Sequence, residues 1–249
     1  MLQAILHGKL SSSIENMEDV LTSCVFGSFE HLDSDDGLGS FIREARGSDP
    51  NCHPFENLKI LKAEYEFWPY WSETGYENCE PDVVLRLQDA DGQRLMILVE
   101  VKYLSGKSAY ANYQTEAPTD QLAKEWDHLV RIADKEKYIP KLVYVTADVI
   151  FPKDDISEAA KEFETKRVEI SKTHPFECWW ISWRSLYRIL ERLDGVLPDQ
   201  LRKLAIKLNF REFDGYSDLR GTLAIHWQYK TSYTWAIPEK FTIDWSYGQ

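Results

Sequence analysis

Glu100 and Lys102 stand two residues apart in the run "ILVEVKY", residues 97–103. Ile97, Leu98, Val99 and Val101 suit the buried middle of a sheet, yet a carboxylate and an ammonium sit among them. Burying a charge is expensive unless it is paired or bound to a metal. Side chains alternate along a strand, so Glu100 and Lys102 share one face with Met96 and Leu98. A second carboxylate, Asp82, lies 18 positions before Glu100, and the turn dipeptide Asp91-Gly92 falls midway between them. A hairpin closed there sets Asp82 and Glu100 side by side on adjacent strands. Two such carboxylates, with the main-chain carbonyl of Val101 as a third donor, make a hard-oxygen site for Mg2+ or Mn2+. The cation relieves the crowding of two negative charges, and Lys102 stands where it can generate or orient hydroxide from a bound water. Plainer readings exist for the same residues. Glu100 and Lys102 could form an ion pair on an exposed strand face, and Asp82 after Pro81 could be a turn residue.

Several elements must hold these groups. The stretch "EPDVVLRLQDADGQRLMILVEVKYL" reads as two apolar strands around the turn. Before it, "LKILKAEYEFWPYW" alternates as a strand up to Pro69. Near the start, Ile14, Met17, Leu21, Val25 and Phe29 recur at spacings of three and four, one apolar helical stripe with Glu18 at its edge. Ser12 or Ser13 can cap that helix, and Glu15 favours its N-terminus. "PTDQLAKEWDHLVRIADKEK" is an amphipathic helix, with Leu122, Trp126, Leu129 and Ile132 on one face. "PKLVYVTAD" reads as a strand, "ISEAAKEFETKR" as a helix and "FECWWISW" as a strand; "RSLYRILERL" and "PDQLRKLAIKL" are helices. "HLDSDDGLGS" and "ARGSDPNCHPFEN" read as loops. The order is helix, three strands, helix, strand, helix, strand, helix, helix, which implies an α/β core with a mixed sheet.

Glu80-Pro81-Asp82, the hydrophobic hairpin and Val99-Glu100-Val101-Lys102-Tyr103 together resemble the PD-(D/E)XK nuclease superfamily, the restriction-endonuclease-like proteins, and in particular its bacterial members. Pro81-Asp82 matches the first half of the motif and Glu100-Val101-Lys102 the second. Members usually bring an acidic residue from the first core helix and often a Gln from the helix after the motif strand. Glu18 matches the former, ahead of Asp19 and Glu15, and Gln121 matches the latter. Glu18 could also be a solvated helix position, and Gln121 the polar first turn of its helix. Glu80 is expected outside the ligand set. The resemblance covers residues 14 to 150, and "CWWISW" with its following helix is similar to the late part of some bacterial members.

Outside the resemblance lies a helical, aromatic-rich extension over residues 196–249; the resemblance itself implies a nuclease-like domain, expected over residues 1–195. It implies a catalytic set of Asp82, Glu100, Lys102, Glu18 and Gln121, with Asp82, Glu100 and the Val101 carbonyl on Mg2+ or Mn2+. The activity implied is hydrolysis of phosphodiester bonds, DNA being favoured, in a setting of defence against foreign DNA. The competing class is a nuclease-like module that binds nucleic acid or a partner protein without cutting.

Composition bounds these expectations. With 249 residues and 43% hydrophobic content, the chain can build one large domain or a domain with a smaller lobe. Its formal net charge of -12 excludes a sequence-independent polyelectrolyte binder, because affinity for phosphate backbones comes from Lys and Arg. Contact with nucleic acid then needs a local basic patch, a metal ion, or a protein partner or second copy. Lys107 and Ser108 in "LSGKSAY", and Arg202, Lys203, Lys207 and Arg211 on a late helix, are candidate phosphate contacts or simply solvated. No apolar run reaches the roughly 18 residues of a membrane span, and "MLQAILHGKLSSS" lacks a signal-peptide cleavage pattern. Cys24, Cys52, Cys79 and Cys178 form no C-x-x-C pair, so cytoplasmic thiols are expected rather than a zinc site using Cys52, His53, Cys79 and Cys178.

Overall fold

The computed structural model describes residues 14–211 apart from 73–75, together with Leu2 and Leu6. Its centre is the hairpin. Strands β2 (Val83–Asp89) and β3 (Arg94–Val101) are joined through Asp91-Gly92, where Gly92 takes a φ of 80°, conformational space that a side chain disfavours. The Gly92 N–H donates to the Asp89 carbonyl at 3.1 Å, and the Gln93 N–H donates to Asp89 Oδ1 at 2.7 Å. The register that follows pairs Val83 with Val99 and Leu85 with Ile97.

Strand β1 (Ile60–Phe67) adds antiparallel to β2, while β4 (Ile139–Thr146) and β5 (Cys178–Ser182) add parallel to β3 and to each other. The five strands form one mixed sheet in the order β1-β2-β3-β4-β5. Parallel neighbours need crossover connections. Helix α3 (Gln121–Glu136) supplies the first, and α4 (Lys153–Lys166) with α5 (Val168–Thr173) supplies the second. The chain thus adopts the mixed α/β architecture expected from its sequence, a central sheet flanked by helices.

Both faces of the sheet are covered, which is why β3 reads as a nearly unbroken apolar run. On one face Ile97, Val99, Val101, Val143 and Val145 pack with Leu21, Val25 and Phe29 of α1 (Ile14–Phe29). That layer also holds α6 (Ser185–Leu190) and α7 (Val196–Lys207). On the other face Val84, Met96, Leu98 and Tyr144 pack with Leu122, Trp126 and Leu129 of α3 and with Phe163 of α4. Helix α3 is sharply started: the Asp120 side chain accepts from the N–H groups of Leu122 and Ala123 at 3.0 and 3.3 Å.

Two expectations change. The "HLDSDDGLGS" stretch is not a loop throughout. A π-helical turn over Asp35–Gly39 runs into the short helix α2 (Ser40–Ile42). Asp33 Oδ1 accepts from the N–H groups of Asp35 and Asp36 at 2.9 and 3.1 Å, and Leu38, Phe41 and Ile42 are buried. The boundary at 195/196 also moves. The compact unit extends to residue 212, because Leu201, Leu204 and Ala205 of α7 are buried in the same core as α1 and α6. The aromatic-rich stretch beyond it, and the proposed capping residues Ser12 and Ser13, lie outside the described residues. Among the described residues, no helix is long and apolar enough to cross a membrane. All four cysteines are free, and only Cys52 is exposed.

Candidate active site at one end of the sheet

Carried one pair beyond Val83 and Val99, the hairpin register sets Asp82 across from Glu100. Both carboxylates are buried, at 8% and 2% exposure. The backbone fixes Asp82 from two sides. The Val101 N–H donates to its Oδ2 at 2.8 Å, and the Trp68 N–H donates to its carbonyl at 3.0 Å. Lys102 follows directly on β3, its N–H donating to the Val145 carbonyl at 2.8 Å. Its ammonium lies 2.7 Å from Glu100 Oε1 and 3.1 Å from Glu18 Oε1.

The two helices expected to contribute do reach this spot. Glu18 of α1 accepts through Oε2 from the Tyr103 N–H at 2.9 Å and from the Ser105 hydroxyl at 2.5 Å, besides its contact with Lys102. Asp19 is exposed instead. Gln121, the first residue of α3, donates through Nε2 to Glu100 Oε1 and accepts at its own Oε1 from the Ser108 N–H at 2.8 Å. Asp82, Glu100, Lys102, Glu18 and Gln121 therefore meet at one end of the sheet. Glu80 is exposed.

A carboxylate that the sequence reading did not single out joins them. Glu125 sits one helical turn after Gln121, with 2% exposure. Its side chain meets those of Glu100 and Gln121, while its Oε2 is buried without a hydrogen-bond partner. The signal was present: Glu125 is a charge set between Leu122, Trp126 and Leu129 on the apolar side of α3.

Crowding and burial shape the electrostatics. Burial pushes the Asp82 carboxyl up to about 8; the charge of Glu100 adds to this, and the Val101 N–H and Lys102 oppose it. Burial and then the charge of Glu125 raise Glu100 well above the ordinary carboxylate range, against the pull of Lys102. Burial likewise pushes Glu125 up to about 8. For Lys102, burial works against the ammonium, but Glu100, Glu18 and Asp82 outweigh it, so the group keeps its proton more firmly than a free lysine.

The donors here are all hard oxygens, right in kind for Mg2+ or Mn2+ and wrong for a thiolate-bound metal. The orphaned Oε2 of Glu125 is an acceptor that a cation would satisfy. The side chains are nevertheless drawn toward Lys102 and the backbone. Among the described residues, no group of three or more His, Cys, Asp or Glu is spaced to hold a metal ion.

Lys107 answers to neither of its expected roles. It is buried and pairs with Asp120, with the Asp155 carbonyl at 3.1 Å and Glu158 at 3.4 Å, so it anchors its loop instead of facing phosphate or solvent.

An uncharacterized protein of Pasteurella multocida (strain Pm70) is 27% identical to this chain over 203 residues, covering 77% of this chain and 70% of that one. No protein-family profile matches the chain, and no solved structure matches it.

Proposed function

We propose that this chain hydrolyses phosphodiester bonds with the help of Mg2+ or Mn2+, as a nuclease of the PD-(D/E)XK type. The observation that carries the reading is the meeting of Asp82, Glu100, Lys102, Glu18 and Gln121, brought by the hairpin and by helices α1 and α3 to one buried spot. A buried ion cluster is weak as a device for stability, since desolvation offsets its attraction, which favours a chemical use for it. A divalent cation on Asp82, Glu100 and the Val101 carbonyl would polarise a phosphate and make a bound water acidic enough to attack near neutral pH. The chain's own groups prepare for that chemistry. Lys102 keeps its proton and presents a donor to the charge that develops on phosphate. Gln121 holds Glu100 in place, and Glu18 ties down the turn that follows Lys102. DNA is the favoured substrate, cleaved in the cytoplasm in defence against foreign DNA. The acidity of the chain favours a protein partner or a second copy in that work.

One observation supports a second reading, a nuclease-like module that binds nucleic acid or protein without cutting. Lys102 already pairs with Glu100 and Glu18, as it would in a cluster with no metal.

Melting curves with and without millimolar Mn2+, beside a plasmid-degradation assay, separate the two. The nuclease reading expects the wild type to be stabilised, by about 2.7 kcal/mol at a hundredfold excess over Kd. Asp82→Ala loses that rise. Lys102→Ala melts lower without metal, because Glu100 is stripped of its ion-pair partner, and cuts nothing, but keeps the rise. A wild type that neither responds to Mn2+ nor cuts leaves the non-catalytic module standing.

A further inference from the structure

We propose that Glu125 is a cation-binding carboxylate of this site, reaching a divalent ion together with Asp82 and Glu100. The inference rests on the metal-dependent reading above and adds a third element, α3, to the donors from the two hairpin strands.

Glu125 Oε2 is buried without a hydrogen-bond partner. The residue is 2% exposed, on a helix face that otherwise buries Leu122, Trp126 and Leu129. A buried acceptor without a partner is a standing cost to the fold. The cation nearby does not meet that need, because the Lys102 ammonium is engaged by Glu100 and Glu18. A purely structural role would not call for an acid. A glutamine in that place could bond Glu100 through its amide without placing a second titratable group beside it. In the site as a whole, four carboxyl groups (Glu18, Asp82, Glu100 and Glu125) gather near one ammonium, which contacts only Glu100 and Glu18, so the site holds more hard-oxygen donors than Lys102 engages. Glu125 already touches Glu100, and the charge of Asp82 bears on it, so it faces the right cluster. The carboxylates are not spaced as a cage around an ion, and binding therefore includes a change of side-chain rotamer at Glu100 or Glu125.

The test reads metal binding without any turnover. Mn2+ affinity of the full chain is measured by electron paramagnetic resonance or titration calorimetry for the wild type, Glu125→Gln, Glu125→Asp and Asp82→Asn. Glu125→Gln is expected to weaken Mn2+ binding by roughly tenfold or more, the scale on which groups around a bound metal act. Its metal-free melting temperature should be equal to the wild type's or higher, since a buried acid has been removed. Glu125→Asp keeps the charge one methylene short and should fall between the two. If Glu125→Gln binds Mn2+ as the wild type does while Asp82→Asn does not, Glu125 only positions Glu100, and this inference falls while the metal site stands. If the wild type binds no Mn2+, both fall together. Should Glu125→Gln fail to fold, Glu125→Asp decides, and wild-type affinity there overturns the inference.

Discussion

Asp82 and Glu125 each carry a carboxyl pushed up to about 8 by burial, whereas the same groups in an unfolded chain titrate near about 4. A carboxyl raised in this way contributes stability in full below its unfolded value, and the contribution is lost as pH rises through the folded one. The metal-free protein should therefore melt at a lower temperature at pH 9 than at pH 6, with the loss spread across the window from about 4 to about 8. Mn2+ should remove most of that slope, because a bound cation replaces the protons that the site otherwise keeps. Asp82→Asn should make the metal-free profile shallower, by the share that Asp82 contributes, while Glu100 and Glu125 keep the rest. Thermal melts of both proteins at several pH values measure this, and parallel profiles would mean that Asp82 is not desolvated.

The entry to α3 concentrates several tasks in a few residues. Asp120 caps the helix and pairs with buried Lys107, Gln121 holds Glu100, and Glu125 follows one turn later. Asp120→Ala removes the cap and leaves Lys107 with poorer partners. The expected cost is about 3–5 kcal/mol, toward the lower end because the Asp155 carbonyl and Glu158 remain. Asp120→Asn, which can still cap, should cost less. Urea unfolding of the two variants checks the order. The same element shows what a sequence reveals. The start of α3 and its apolar side follow from local spacing, as does the hairpin register, where a two-residue period and one turn dipeptide align Asp82 with Glu100. The burial of Lys107 depends on residues 48 and 51 positions away, and no local pattern encodes it. Helix α7 joins the first domain through contacts with elements far earlier in the chain, so its place was equally hidden. The helical turns after Asp33 were masked by their own acidic and glycine-rich composition, which also suits a loop.

The whole molecule is acidic, with a formal net charge of -12, while the substrate proposed for it is a polyanion. Long-range repulsion then opposes encounter, and salt weakens that repulsion as the screening length falls to about 8–10 Å at 0.10–0.15 M. Cleavage by the isolated chain should speed up between low and physiological salt. A basic nuclease, which loses affinity through counterion release, shows the opposite trend. A steady fall in rate over this range would point to a local cationic track or a basic partner that dominates approach.

Every group of the site lies at one end of the sheet, and the Asp91-Gly92 turn lies at the other. Glu100 lies eight residue steps along the chain from Gly92. At the usual rise this is about 27 Å. Asp91, Gly92, Gln93 and Arg94 are all exposed. The turn is thus a natural handle: a dye, an affinity tag or a surface tether grafted there would hold the protein at the end of the sheet opposite the carboxylates.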